Sequence, residues 1–267
     1  MKRRVEPAGE SGWPRTRLFV EAALTADTEI AIDGDRVHHL RNVLRLEAGE
    51  AVRLFNGRDG EWRGRIARLA KSAATILAEA RLRDQSREGD LWLVFAPIKR
   101  ARLDSLIEKA TELGVAALLP VFTRHTAAER VNIDRLRAIA TAAAEQSERL
   151  SVPTIRKPVT LDKLLADWPG GRHLLLCAEA GAAKPIAELL MSQESGDRDG
   201  HLSGAVMIGP EGGFAVSELD GLGKLPFVSA VGLGPRILRA DTAALAALAC
   251  WQAIRGDGRS QPPHRSS

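Results

Sequence analysis

AVMIGPEGGF, Ala205–Phe214, is an apolar strand-like run, Ala205–Ile208, that breaks at once into a loop with three glycines in five positions. Gly209, Gly212 and Gly213 let the backbone approach a ligand and adopt positive φ, while Pro210 stiffens the entry. A second run, Phe227–Gly232, ends in a similar way with Leu233-Gly234-Pro235-Arg236-Ile237-Leu238-Arg239. In an open parallel sheet the ligand lies outside the carboxyl ends of the strands, so these two loops are the candidate site. The alternative is a tight strand-to-helix turn with Ser217 as N-cap.

Working outward, strand and helix patterns alternate from residue 90 onward. Leu91–Ala96 is a near-continuous apolar run, as in a strand buried on both faces. A helix over Arg102–Leu113 puts Leu103, Leu106, Ile107, Ala110 and Leu113 on one face and stops at Gly114. Then come a strand Ala116–Phe122, a helix Asp134–Leu150, a weak strand and helix within Thr154–Asp167, a strand His173–Ala178 and a last helix Thr242–Ile254. This order predicts an α/β domain, residues 90–256, with a mainly parallel sheet. Residues 257–267 have no periodicity and read as a disordered tail, residues 1–15 as a flexible N-terminus.

The pattern changes type at RLRDQSREGD, Arg81–Asp90, which is charged and aperiodic and marks the domain boundary. Before it, over 16–85, lie short strands at Arg17–Val20, Ala51–Phe55, Glu61–Leu69 and Ala74–Ala80, with Asn56-Gly57 as a hairpin turn. Trp62, Gly64 and Ile66 alternate with Glu61, Arg63 and Arg65, so one face packs and the other carries charge. One helix, Asp35–Leu46, buries Val37, Leu40 and Leu44, with Asp35 as its cap, and displays Arg36, Arg41 and Arg45. This half reads as a small β-barrel that binds a polyanion or merely carries a solvated charged face.

The charge balance permits the first option without demanding it. The 267 residues carry 38 Lys and Arg against 34 Asp and Glu, a net +4. Residues 1–159 contribute +6 (28 basic, 22 acidic) and residues 160–267 contribute −2 (10 basic, 12 acidic). The anion-attracting part is the first 60% of the chain. Hydrophobic residues are 45% and charged residues 27%, which excludes a disordered chain or a fibre. No apolar stretch reaches the roughly 18 residues of a membrane span, and there is no signal-peptide pattern. Cys177 and Cys250 lie far apart without a CxxC, which fits a reducing compartment, and we expect a cytoplasmic protein.

Several chemistries fall away. Phe214 and Ala215 stand where a phosphate loop needs Lys and Ser or Thr, and Glu211 would repel a polyanion. After Leu91–Ala96 the chain reads Pro97-Ile98-Lys99-Arg100, without the glycines of a dinucleotide fingerprint. The six histidines show no metal-ligand spacing, so no metal is expected, and there is no GxSxG elbow. An acidic glycine-rich loop suits a ligand with an adenosine-like ring and a positive centre, as in a sulfonium cofactor. At the end of the helix Asp134–Leu150, Glu145 and Arg149 fit an ordinary i,i+4 pair, but Gln146 beside Arg149 could also read a base edge or hold a phosphate.

Five ordered motifs now carry a resemblance: HHLRNVLRLEAGE (His38–Glu50), KATELGV (Lys109–Val115), AAAEQSER (Ala142–Arg149), IGPEGGF (Ile208–Phe214) and LGPRILRADTA (Leu233–Ala243). Over Thr16–Arg255 the chain resembles the RsmE-type ribosomal RNA methyltransferases of the SPOUT superfamily. The resemblance implies an N-terminal PUA-like RNA-binding barrel and a C-terminal α/β trefoil-knot domain working as a homodimer. It also implies methyl transfer from S-adenosylmethionine to N3 of a uridine of 16S rRNA, free or in the small subunit.

Carried over by residue, the cofactor-binding positions are Glu179, Ile208, Gly209, Pro210, Glu211, Gly212, Gly213, Leu233, Gly234, Ile237, Leu238 and Arg239. Arg239 and Glu211 are the candidate catalytic residues. The RNA-binding candidates are His38, Arg41, Arg45, Arg63, Arg65, Lys99, Arg102, Arg124, Gln146 and Arg149. Two stretches depart from the family pattern. Thr123-Arg124-His125-Thr126 replaces an ERS-like stretch, and Ala240-Asp241-Thr242-Ala243 replaces TETA, shortening the acid by one methylene. The competing reading is a non-catalytic rRNA-binding assembly factor that keeps the fold.

Overall fold

The computed structural model describes residues 13–86, 88–178, 183–192 and 203–260. Glu179, the side chain of Asp35, and residues 1–12 and 261–267 of the expected flexible ends lie outside the described residues. Two units emerge: residues up to 87 together with Glu145–Ser151, and residues 88–144 together with the chain from Val152 onward.

The first unit is a curled five-stranded sheet. Its strands are β1 (Arg17–Phe19), β2 (Glu29–Asp33), β3 (Ala51–Phe55), β4 (Glu61–Leu69) and β5 (Ala73–Arg83), in the order β1-β3-β4-β5-β2. β1 runs parallel to β3, and the other pairs are antiparallel. Trp62, Gly64 and Ile66 face the core as their alternation predicts. The β3–β4 turn spans five residues rather than two. Asn56 Oδ1 accepts the amides of Arg58 and Asp59 at 3.0 and 2.9 Å, and Gly60 closes the turn at φ 82°. A Cβ on Gly60 would stand 2.2 Å from the Arg83 carbonyl oxygen, so only glycine fits.

Three expectations need correcting here. The helix expected over Asp35–Leu46 is instead a single α turn, α1 (Gly34–His38), followed by a π-helical turn at His39–Val43. The Leu44 amide reaches back five residues to the His39 carbonyl. That extra residue per turn carries Leu44 off the buried face: Val37 and Leu40 are fully buried, Leu44 is 38% exposed, and Leu46 packs in its place. Arg81–Arg83 is not linker but the end of β5. Glu61, expected on the charged outer face, is fully buried. It accepts from Arg17 Nε at 2.6 Å and Arg83 Nε at 2.8 Å, with Arg53 Nη1 at 3.6 Å.

The same arginines hold Glu145–Ser151. Arg17 donates to the carbonyls of Glu145 and Arg149, Arg83 to that of Glu148, and Arg53 pairs with the Glu148 carboxylate at 3.0 Å. Arg53 also donates to the Pro14 carbonyl, so residues 13–15 are pinned to the sheet rather than loose. Glu145 accepts the Phe19 amide at 2.9 Å. Burial pushes its carboxyl above the ordinary range, while that amide, Arg36, His39 and Arg17 pull the other way.

The second unit is a parallel sheet with helices on both faces. Its strands are β6 (Asp90–Phe95), β7 (Ala117–Phe122), β8 (Thr154–Ile155), β9 (Val159–Thr160), β10 (His173–Cys177), β11 (Lys184–Pro185), β12 (Ser203–Ile208) and β13 (Val228–Gly232). They lie in the order β11-β13-β10-β12-β6-β7-β8, with β9 beside β7. β12 enters between β6 and β10, and β13 between β10 and β11, so the last two strands are inserted among strands laid down earlier. A knotted chain requires such a path, which ordinary connection rules do not offer.

The helices are α2 (Arg100–Glu112), α3 (Ile133–Gln146), α4 (Leu161–Ala166), α5 (Ile186–Ser192), α6 (Val216–Gly223) and α7 (Ala240–Ile254). Leu103, Leu106, Ile107 and Ala110 of α2 pack with Leu136 of α3, Leu190 of α5 and Leu248 of α7 on one face of the sheet. Leu161, Leu164 and Leu222, from α4 and α6, cover the other. α7 lies so close to β12 that a Cβ on Gly204 would meet the Trp251 ring at 2.0 Å. Gly114 ends α2 at φ 78°, as its position predicts. The α6 cap is not Ser217: the helix starts at Val216, and the Glu218 carboxylate accepts the Ala215 amide at 2.9 Å. Asp257–Arg259, assigned to the tail, forms a 3-10 turn against α7, with the Asp257 amide on Gln252 Oε1. No helix among the described residues is long and apolar enough to cross a membrane.

Candidate active site

β12 and β13 flank β10 and all three run parallel, so loops 209–215 and 233–239 leave the same end of the sheet. Loop 209–215, after β12, turns back on itself. The Gly213 amide donates to the Pro210 carbonyl at 2.9 Å, and Gly213 sits at φ 70°. Gly209 is a close approach: a Cβ there would meet the Phe214 ring, itself packed into the core, at 2.7 Å. His125, from the stretch after β7, lies against this loop, with Nδ1 3.1 Å from the Gly213 carbonyl. Arg124 is exposed, and its amide donates to Glu218 at 2.9 Å. The Thr123–Thr126 departure therefore buttresses the glycine loop from outside; Thr126 Oγ1 accepts the Thr123 amide at 2.9 Å.

Loop 233–239, after β13, turns at Gly234 (φ 101°) and leads into α7. Arg239 occupies the N-cap position with its side chain exposed, and its carbonyl accepts the Ala243 amide at 2.8 Å. In the first turn Asp241 holds one carboxylate oxygen, Oδ1, out of solvent with no hydrogen-bond partner among the described residues. An acceptor desolvated without a donor is costly, so the first turn of α7 has the character of a site that a donor-bearing ligand would complete.

Glu211 lines a cavity of about 650 Å³ that also receives Lys99, Arg100 and Arg102 from the start of α2 and Arg130, Asn132 and Arg135 from the start of α3. Arg135 is spent on Asp104 by a direct ion pair. The remaining cations face one carboxylate, Glu211. The cavity is thus lined by the carboxylate of Glu211 and by the basic starts of α2 and α3, where two helix N-termini add to the attraction for an anion.

The structure places Lys99 and Arg102 in one cavity with Glu211 and puts the other candidates elsewhere. Arg63 and Arg65 both reach Glu79 of β5, at 3.3 and 2.6 Å, so they are partly neutralised. His38, Arg41, Arg45 and Gln146 are exposed on the first unit. Arg149 is 9% exposed, with Nη2 on Ser151 Oγ at 3.3 Å. Its guanidinium is part of the packing of 145–151, not an available RNA ligand. The sequence reading missed Arg100 and the Arg130–Asn132 stretch. Asn132 was findable: its Oδ1 accepts the Arg135 amide at 3.0 Å, the N-cap role its residue type favours one position before a helix.

Among the described residues no three His, Cys, Asp or Glu side chains could share an ion. Burial pushes the Cys177 thiol up to about 12, with Cys250 adding to the shift.

Residues 85–252 match the model of an RNA methyltransferase domain, and residues 32–79 that of an RNA methyltransferase PUA domain. The Ribosomal RNA small subunit methyltransferase E of Rickettsia conorii is 33% identical over 234 residues, 87% of this chain and 93% of that protein. The protein of the same name from Synechocystis sp. is 30% identical, over 89% of this chain and 77% of its own. Among solved structures, Ribosomal RNA small subunit methyltransferase E from Neisseria gonorrhoeae, bound to S-adenosyl methionine, superposes with a TM-score of 0.78 at 27% identity, covering 91% of this chain and 98% of that one. A Legionella pneumophila protein in complex with the bound cofactor SAM gives the same TM-score at 28% identity, covering 89% and 97%. The fold is an α/β RNA methyltransferase domain preceded in the chain by a PUA-like curled sheet, and the chain belongs to the ribosomal RNA small subunit methyltransferase E family of RNA methyltransferases.

Proposed function

We propose that this chain transfers a methyl group from S-adenosylmethionine to N3 of a uridine in 16S rRNA. The observation that carries the reading is the shared cavity, in which Glu211 of the glycine loop faces Lys99, Arg100, Arg102 and Arg130. The residues fit the cofactor. Gly213 and Gly234 hold positive φ with open space where a Cβ would stand, and the Asp241 oxygen lacks a donor. When bound, S-adenosylmethionine supplies an electrophilic methyl group whose sulfur departs as a neutral thioether.

The protein's part is to hold the uridine and manage its imide proton. Lys99, Arg100, Arg102 and Arg130 bind flanking phosphates as charge-assisted donors. Arg239 stabilises the negative charge that develops on O2 and O4 as N3 loses its proton. Glu211, directly or through a water it orients, accepts that proton. Positioning the base against an already activated donor supplies much of the remaining rate. An rRNA substrate supports a cytoplasmic location. Val216 and Leu219 of α6 and Ile237 in loop 233–239 are exposed apolar side chains, which supports a homodimer that covers them.

Mass spectrometry of rRNA nucleosides from cells with and without the protein tests the reaction: 3-methyluridine disappears with the protein if the reading holds and persists if it does not. Calorimetry with S-adenosylmethionine is the companion measurement, since absence of binding would favour a non-catalytic assembly factor. The charge division makes a further prediction. RNA affinity falls steeply with salt because phosphate contacts release counterions, whereas cofactor affinity changes little; equal salt slopes would contradict the division.

A further inference from the structure

The second unit has another cavity, of about 510 Å³, which the catalytic reading does not use. It opens on the sheet face opposite α2 and α7. Trp92 of β6 and Trp168 after α4 form its aromatic wall, with ring centroids 6.1 Å apart at 75°. Arg156, Lys157 and Lys163 are its cations, and Asp167 is its only acid.

Its size is within the roughly 300–1,000 Å³ of small-ligand pockets. The wall is rigid: Trp168 stacks on Phe227 at 5.8 Å, and Arg172 lies 3.7 Å from the Trp92 ring centroid. Both indole N–H groups are already used, Trp92 on Asp90 Oδ1 and Trp168 on the Arg172 carbonyl. The rings therefore offer a ligand π-surface and not donors. The three cations are exposed and make no ion pair with a described residue. Arg156 touches Trp92 only at 5.7 Å, near the outer limit of a cation–π contact.

We propose that this pocket takes a single-stranded nucleotide of the substrate RNA, with its base against the indoles and its phosphates on Arg156, Lys157 and Lys163. This rests on the reading of the chain as an rRNA methyltransferase. Aromatic rings beside unpaired cations are how single strands are held without sequence readout, and the surplus of positive charge matches a polyanion. The nucleotide is not the one methylated. Trp92 lies in register with Ala205, four residues before loop 209–215, or about 13 Å along the strands. The pocket is thus a second RNA foothold on the catalytic unit, one that fixes a flanking nucleotide.

The test uses the full chain with Arg156→Ala, Lys157→Ala and Lys163→Ala combined, all surface changes. A companion variant combines Arg156→Lys, Lys157→Arg and Lys163→Arg. Fluorescence anisotropy with a labelled single-stranded 16S oligoribonucleotide should show about 10-fold or more weaker binding for the alanine variant. Its salt slope should be shallower by about 2, at ~0.7 for each phosphate no longer neutralised. The charge-preserving variant should behave as wild type, and S-adenosylmethionine affinity should stay within about twofold for both. Unchanged oligonucleotide affinity and salt slope would overturn the proposal. So would weakened binding only to the assembled small subunit, which would make the occupant a ribosomal protein. Failure of the catalytic reading is seen separately, as wild-type protein that binds RNA but forms no 3-methyluridine.

Discussion

Glu61→Ala should destabilise the N-terminal unit by about 3–5 kcal/mol, the range for removing one partner of a buried ion pair. Glu61 is fully buried and joins Arg17, Arg53 and Arg83, so its loss leaves three guanidinium groups crowded in low dielectric with one carboxylate, Glu148, still at hand. The cost extends beyond the pairs, because Arg17 and Arg83 also hold the carbonyls of Glu145, Glu148 and Arg149. Burial already pulls the Arg17 guanidinium below its ordinary range, with Glu61 as the opposing influence. Urea unfolding measures the effect. Glu79→Ala is the control, since Glu79 pairs with Arg63 and Arg65 near the surface and should cost no more than about 1 kcal/mol. Equal losses in the two variants would show that the buried cluster carries no special weight.

Arg239→Ala should lower kcat for methyl transfer by about 10²–10³-fold, the range for removing one donor to a developing oxyanion. The fold should tolerate it. Arg239 is exposed, its extended backbone (φ −67°, ψ 153°) is open to alanine, and the carbonyl that accepts the Ala243 amide is unchanged. S-adenosylmethionine binding and the unfolding midpoint should therefore stay near wild type while turnover falls. Arg239→Lys should recover part of the rate, because it keeps the charge and loses the planar fork. Near-normal turnover of Arg239→Ala at saturating RNA and cofactor would remove Arg239 from the chemistry and leave its loop a binding element only.

The two glycine loops stand out in the sequence because glycine, proline and a strand run together have few structural uses. The sequence pattern mislocated side chains wherever a distant segment decided burial. Glu61 obeys the alternation of its strand, yet the face it points to is covered by 145–151, a segment more than eighty residues away. Arg149 fits the end of a helix over Asp134–Leu150, as a partner of Glu145 or an RNA contact beside Gln146; the helix stops at Gln146, and Glu145–Ser151 belongs to the first unit. Leu44 followed the helical period until a π turn changed the period. Ser217 had the residue type of a cap, but the helix begins at Val216, so Ala215 takes the cap position and its amide donates to Glu218.

By itself, then, the amino-acid order determined the parallel α/β unit, the smaller strand-rich unit before it, the two glycine loops and the uneven charge, because these follow from periodicity, backbone sterics and composition along a contiguous stretch. Only the tertiary structure decided that β12 and β13 insert beside β10 to bring the loops to one end of the sheet. It alone placed Arg100, Arg130 and Asn132 around Glu211 and set two indoles beside three unpaired cations on the opposite face. Strand order and helix-to-helix proximity depend on how separate segments share one core, and no local pattern encodes the partner a segment will find.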